Sequence, residues 1–193
     1  MKTTFKSFII IGLCGAFAFL SQSCNKVLPG VDVSWSGVDV TQNVPIVPDT
    51  VTHLAMGTST FKYNIDSMIK AKAGTSFSAS MISKVTLKSC KLTINNANPT
   101  NNFANFQLCD LFFNSSINPV TAHTATIANN PDMNSDTLDV PVDNTIDLKS
   151  YFYSSSSSGP VTITYVFGGK LRRPTTMVLN VTAHVEYDLK IQP

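Results

Sequence analysis

The segment TMVLNVTAHVEYDLKI, residues 176–191, alternates apolar and polar side chains along its whole length. Its apolar face consists of Met177, Leu179, Val181, Ala183, Val185, Tyr187, Leu189 and Ile191. A period of two residues is typical of a β-strand with one buried face. Because the pattern runs well beyond the usual strand length, we predict a strand that bends between the two sheets of a sandwich.

Shorter segments repeat this alternation, and helical signals are few. The strand-like segments are VDVSWSGVDV, which changes face at Gly37, STFKYNI and VTITYVF. NIDSMIKAKAG predicts a short helix ended by Gly74, and TIDLKSYF predicts another with Thr145 or Asp147 as its cap. The sequence therefore predicts an all-β fold over residues 31–193. The expected architecture is an antiparallel β-sandwich, jelly-roll or immunoglobulin-like, with one or two short helices.

The N-terminal segment has the order of a secretory signal. Residues 1–6 are positively charged, and residues 8–20 are apolar apart from glycine and cysteine. This apolar run of about 13 residues is shorter than the roughly 20 of a spanning helix, so a transmembrane anchor is the weaker alternative. Leu20 and the small or polar residues 21–23 then lead to Cys24.

The stretch LSQSCNK resembles the lipobox of bacterial lipoproteins, in the looser form found in Bacteroidota. The resemblance implies a signal peptide over residues 1–23, cleavage before Cys24, and acyl chains on Cys24. Residues 24–30 would then form the lipidated N-terminus and a short tether. Asn25 and the absence of acidic residues after Lys26 favour the outer membrane, facing the periplasm. Two or three acyl chains suffice for stable anchoring.

Charge excludes one class of partner. The formal net charge is +2, and Lys2 and Lys6 lie in the signal segment, which leaves 12 Lys and Arg against 12 Asp and Glu. We find no basic stripe for nucleic acid and no polybasic run for anionic lipid. The expected partners are the membrane, through the lipid anchor, and an envelope protein or glycan.

Cys90 and Cys109 remain as a pair in an oxidising compartment. They flank an Asn- and Pro-rich turn, and the apolar runs on both sides predict a β-hairpin. Two registers are open. One sets Cys90 opposite Cys109 and permits a disulfide, whereas a register shifted by one pairs Leu92 with Phe106 and leaves two buried free thiols.

The strongest metal candidate is DMNSDTLDVPVD. Asp132, Asn134 and Asp136 alternate as in a calcium loop, and Asp143 falls at the twelfth position. Thr137 occupies the position of the required glycine, so a polar turn is the competing interpretation. We expect no metal or other cofactor elsewhere, because His53, His123 and His184 are far apart and none has a metal-ligand spacing.

Aromatic residues provide the one ligand-binding candidate. Tyr151 and Tyr153 stand beside a serine-rich loop and are candidates to present rings to a sugar. Core packing is the competing interpretation. No catalytic set is visible, so the leading hypothesis is a non-enzymatic structural or interaction module of the cell envelope. The alternatives are a carbohydrate-binding accessory protein and a hydrolase with at least two aspartates in a concave pocket.

Overall fold

Eight strands and two short helices make up the computed structural model, which describes residues 29–48, 54–156 and 159–192. The strands are β1 (Val31–Val44), β2 (Leu54–Tyr63), β3 (Ile82–Ile94), β4 (Phe106–Ser115), β5 (Asn118–Ile127), β6 (Thr137–Val140), β7 (Val161–Leu171) and β8 (Leu179–Ile191). The helices are α1 (Ile65–Ala73) and α2 (Lys149–Phe152).

The strands form two antiparallel sheets that pack face to face. Sheet A has the order β1-β8-β3-β6, and sheet B has the order β2-β7-β4-β5. Consecutive strands lie in opposite sheets, except for β4 and β5. The antiparallel pairs β1/β8, β2/β7, β3/β6 and β4/β5 are therefore nested within one another along the chain. This is the winding of an eight-stranded jelly roll and not of an immunoglobulin-like domain. The predicted all-β sandwich is confirmed.

The last strand follows its predicted alternation but does not change sheets. Every second residue of β8 from Leu179 to Ile191 is buried. The strand stays in sheet A, where it pairs with β1 on one side and β3 on the other. These neighbours are as long as β8, so its length needs no bend, and the predicted bend is wrong. In β1 the register shifts between Trp35 and Val38, which agrees with the predicted change of face at Gly37.

The predicted hairpin between the two cysteine-bearing strands is wrong. β3 lies in sheet A and pairs with β8 and β6, whereas β4 lies in sheet B and pairs with β7 and β5. The Asn-rich segment between them crosses from one sheet to the other. A short polar connection between two apolar strands is equally compatible with a hairpin and with such a crossing, so the local pattern alone did not distinguish them.

The first helix has a side-chain cap at its N-terminus, whereas the second does not. The Asn64 side chain accepts a hydrogen bond from Ser67 N at 3.0 Å, and Gly74 ends α1 with φ of 111°. At α2, Asp147 Oδ1 accepts hydrogen bonds from Lys149 N at 3.0 Å and from Val85 N at 3.1 Å. The N-cap position of α2 is Leu148 and not the predicted Thr145 or Asp147. Asp147, one residue earlier, binds the first N–H of the helix and covers the open edge of β3.

Gln42 is a polar side chain that is buried in the core without a partner in the described part of the chain. Gln42 points inward between Val40 and Val44 with 7% of its surface exposed. Neither its Nε2 nor its Oε1 has a hydrogen-bond partner within the described ranges. Gly57, with φ of 149°, faces this side chain, and a Cβ at Gly57 would lie 2.3 Å from Gln42 Oε1. Gly57 therefore meets both a backbone and a space requirement.

The two ends of the sandwich differ in composition. At what we call the terminal end, β1 begins, β8 ends, and α1 and α2 pack across the opening. At the opposite, asparagine end, the chain passes through residues 45–48, 95–105, 128–136 and 172–178. These segments carry most of the features described next.

Candidate functional site

The asparagine end is built around buried asparagine side chains. Asn101, Asn102, Asn105 and Asn130 are each almost fully buried. Short polar residues such as these hydrogen-bond readily to nearby backbone, so they can replace the missing ladder partners of a loop. Asparagine also offers two donors and one acceptor in a single side chain. These four residues therefore hold irregular backbone that a strand or helix would otherwise have to satisfy.

Each of these side chains ties together segments that are distant in sequence. Asn101 Nδ2 donates to Thr176 Oγ1 at 2.8 Å, and its Oδ1 accepts from Thr176 N at 2.8 Å. Asn105 Nδ2 donates to Pro174 O at 2.9 Å, and Asn130 Nδ2 donates to Phe103 O at 2.7 Å. The bonds link the segments 95–105, 128–136 and 172–178, so these loops are ordered before any partner arrives.

Two arginines extend the network toward the surface. Arg172 donates to Ala104 O at 3.1 Å and to Asn130 O at 2.5 Å. Arg173 is half-exposed and forms an ion pair with Asp132. Arg172 thus serves the loops, whereas Arg173 and Asp132 are accessible to a partner.

Large exposed apolar side chains collect on the same end. Met133 is 68% exposed, and Ile46 and Val178 are about half-exposed. Met133 follows Asp132, and Val178 precedes β8, where its carbonyl accepts a hydrogen bond from Asn96 Nδ2 at 2.8 Å. The fourth such residue in the described part, Val120 on β5, lies toward the terminal end. Apolar side chains on ordered loops, with charged groups beside them, resemble the composition of protein interfaces.

A groove lies on the outer face of sheet A, toward the terminal end. Its volume is about 640 Å³. The charged residues that line it are Asp32, Lys84, Lys88, Asp188 and Lys190. It contains two aspartates, which meets the requirement stated for a hydrolase, but the lysines outnumber them. Asp188 also accepts a hydrogen bond from Ser34 Oγ at 2.6 Å.

His184 lies on this same face and has partners that the sequence did not reveal. Its Nδ1 is 2.7 Å from Asp39 Oδ1 on the neighbouring strand β1. The hydrogen bond to Asp39, with a smaller contribution from Glu186, raises the pKa of His184, although partial burial opposes this. Glu186 in turn accepts a hydrogen bond from Ser89 Oγ at 3.1 Å, which lowers the pKa of its carboxyl. Because the partners are 145 residues apart, only the strand order could have predicted the pair.

Another histidine–carboxylate pair lies on the outer face of sheet B. His123 Nε2 is 3.0 Å from the buried Asp110 Oδ1. The imidazole also stacks on Phe112, with ring centroids 4.5 Å apart. These contacts fix the orientation of an exposed ring. His123 and Asp110 are 13 positions apart and lie on the adjacent strands β5 and β4. The pair therefore depends on the strand register, which a rule based on sequence spacing does not contain.

Cys90 and Cys109 are free thiols in the core, one in each sheet. Both side chains point inward, so neither hairpin register describes them. Burial raises the pKa of the Cys90 thiol to about 12 and raises that of Cys109 further. Such thiols are weak nucleophiles at neutral pH. The structure thus has them as two buried free thiols, the second of the two alternatives, with no bond between their sulfurs.

The four calcium-candidate residues do not share one site. Asp132 pairs with Arg173, Asn134 Oδ1 accepts from Asn102 at 3.4 Å, and Asp143 Oδ1 accepts from Thr145 N at 2.9 Å. The carbonyl of Asp136 accepts a hydrogen bond from Ile94 N at 2.8 Å. In the described ranges, no three His, Cys, Asp or Glu side chains are grouped so as to hold a metal ion.

The two candidate tyrosines do not form an exposed platform. Tyr151 is only 8% exposed and packs edge-on against Phe113, with ring centroids 5.0 Å apart. Tyr153 is partly buried against the core. The structure therefore corrects the ligand-binding prediction for Tyr151: its ring fills the space under α2 and cannot stack on a sugar.

Two further predicted positions, Cys24 and His53, lie outside the described residues. Within the ranges that are described, no helix combines the length and the apolar character needed to cross a membrane. Comparisons with protein-family models, with curated proteins and with solved structures returned no match for this chain.

Proposed function

We propose that this chain is a lipoprotein anchored in the outer membrane through Cys24, and that its jelly roll is a non-enzymatic interaction module. The asparagine end would be the binding surface for another protein of the cell envelope. The periplasmic face of the membrane is the proposed location. The lipobox-like sequence before Asn25 supports the anchor.

The exposed apolar residues on the asparagine end are the observation that carries the binding surface. Met133 and Val178 belong to loops held by buried asparagines, so presenting them to a partner costs little additional ordering. β1 begins at the opposite end of the sandwich, and Cys24 precedes it by seven residues. An anchored chain would thus direct Met133 and Val178 away from the membrane.

Substituting the anchor residue tests the first half of the proposal. With Cys24→Ala we expect no incorporation of a labelled fatty acid and accumulation of a precursor that retains residues 1–23, because the acyl chains attach to the Cys24 sulfur. The measurement is metabolic labelling followed by the intact mass of the purified chain. Cys14→Ala is the matched control, since Cys14 lies in the predicted signal segment. Continued labelling of the Cys24→Ala chain would falsify the anchor.

A further inference from the structure

Three lysines meet in the groove on sheet A, although the sequence has no polybasic run. Lys84 and Lys88 come from β3, and Lys190 comes from β8. Among the described residues, no carboxylate lies within ion-pair distance of Lys84 or Lys190, and Lys88 is 3.6 Å from Glu186 Oε2. Asp32, the strand neighbour of Lys190, and Asp188, which accepts a hydrogen bond from Ser34, offset part of this charge. Two ammonium groups are therefore available to an anion.

Hydroxyl and amide groups surround these lysines. Thr86 lies on β3 between Lys84 and Lys88, and Asn144 and Thr145 form a wall from the segment after β6. Thr86 and Asn144 offer a hydroxyl and an amide donor, whereas the Thr145 hydroxyl already donates to Asp143 Oδ1 at 2.6 Å. Lysine acts as a mobile point charge toward phosphate and needs no fixed geometry. The groove therefore suits a phosphate group that carries polar substituents.

Positive charge is also concentrated at the terminal end when all described charged residues are considered. The terminal end carries seven lysines: Lys62, Lys70, Lys72, Lys84, Lys88, Lys149 and Lys190. Its five carboxylates are Asp32, Asp66, Asp147, Glu186 and Asp188. The other described residues carry four Lys and Arg, namely Lys91, Lys170, Arg172 and Arg173, against six aspartates. One of these six, Asp143, accepts hydrogen bonds from the groove residue Thr145. The terminal end is thus net positive and the remaining described residues are together net negative, which would orient the domain over an anionic surface.

The tether places this end close to the membrane. Val31 follows Cys24 by seven positions, so even a fully extended tether spans no more than about 25 Å. Val31 lies at the same end of the sandwich as Lys190 and Lys84. We propose that the groove binds the phosphate of lipid headgroups in the membrane that holds the anchor. This inference rests on the proposed lipid anchor, and it would orient the asparagine end outward.

Vesicle sedimentation tests the groove without the acyl chains. The protein is the full mature chain with Cys24→Ser, and the probes are phosphatidylcholine vesicles with or without about a third of phosphatidylglycerol. We expect binding to the anionic vesicles only, and weaker binding as salt increases. Each lysine near the surface contributes about 1 kcal/mol, or roughly a five-fold change in partition. The triple variant Lys84→Gln, Lys88→Gln, Lys190→Gln should therefore bind at least about twenty-five-fold less well, since Lys84 and Lys190 alone supply two such factors.

A matched variant separates position from net charge. Lys91→Gln, Lys170→Gln, Arg173→Gln removes the same charge away from the groove and should bind nearly as well as the parent chain. A triple Lys→Arg variant of the groove residues should also bind, because charge is retained. Equal binding to neutral vesicles, or equal loss in the matched variant, would overturn the inference. So would binding of inorganic phosphate to the groove without vesicle binding. Acylation of Cys24 is measured separately, so the anchor can stand if the groove fails.

Discussion

Replacing Asn105 by alanine should lower the free energy of unfolding by about 3–5 kcal/mol. Its Oδ1 accepts a hydrogen bond from Asn102 N at 3.0 Å, and its Nδ2 donates to Thr100 O at 3.1 Å and to Pro174 O at 2.9 Å. The substitution removes three hydrogen bonds and leaves the buried N–H of Asn102 and two partly buried carbonyls without this partner, which costs more than the bonds themselves contribute. Equilibrium unfolding in urea measures the change, provided that the slope with denaturant is unaltered.

An asparagine on the outer face of sheet A provides the control. Asn43 is exposed and makes a single side-chain bond, accepting from Asn180 Nδ2 at 3.1 Å. Asn43→Ala should change stability by no more than about 0.5 kcal/mol. If Asn105→Ala were as mild as Asn43→Ala, the loops of the asparagine end would not depend on their buried side chains.

The second large effect is expected at Gly57. Gly57→Ala should cost about 3 kcal/mol, from backbone strain at φ of 149° and from the Cβ placed 2.3 Å from Gln42 Oε1. Combining it with Gln42→Ala removes the contacts with Oε1 and Cδ, but it keeps the contact with the residue-42 Cβ at 3.2 Å and the backbone strain. The double variant should therefore lose at least about 1 kcal/mol less than the sum of the two single variants. Thermal or urea unfolding of the parent chain, the two single variants and the double variant measures this coupling free energy.

Gly74 separates the two contributions. It also has a positive φ, of 111°, but a Cβ there would have nothing within 4 Å. Gly74→Ala should show the backbone cost alone, about 1–2 kcal/mol. If the effects of Gly57→Ala and Gln42→Ala were additive, β1 and β2 would move apart at no cost in stability. The close packing of Gly57 against Gln42 would then not be required.

Features that depend on neighbouring residues in the sequence were predicted well. The alternation of β8, the change of face at Gly37 in β1 and the end of α1 at Gly74 all follow from local rules of periodicity and backbone conformation. These rules do not contain the strand order. After each connection the next strand can join either sheet A or sheet B, and a polar turn is compatible with both outcomes.

The candidate site depends on the corners of the fold, which explains why the sequence missed it. Asparagines in a turn are expected at the surface, yet Asn101 and Asn105 are buried because three loops converge around them. The pairing of His184 with Asp39 and the meeting of Lys84 with Lys190 likewise require β8 to lie between β1 and β3. The last two contacts, His184 with Asp39 and Lys84 with Lys190, each join residues that are more than a hundred positions apart.

The asparagine end as the binding surface is tested most directly by site-specific crosslinking in intact cells. A photoreactive phenylalanine analogue replaces Met133 or Val178 in the full chain, and the same analogue at Val120 is the control. Val120 is 66% exposed, close to the value of Met133, but it lies toward the terminal end. We expect the same envelope protein to be crosslinked from Met133 and from Val178, and not from Val120. Crosslinks of equal yield from Val120, or none from the asparagine end, would contradict the account.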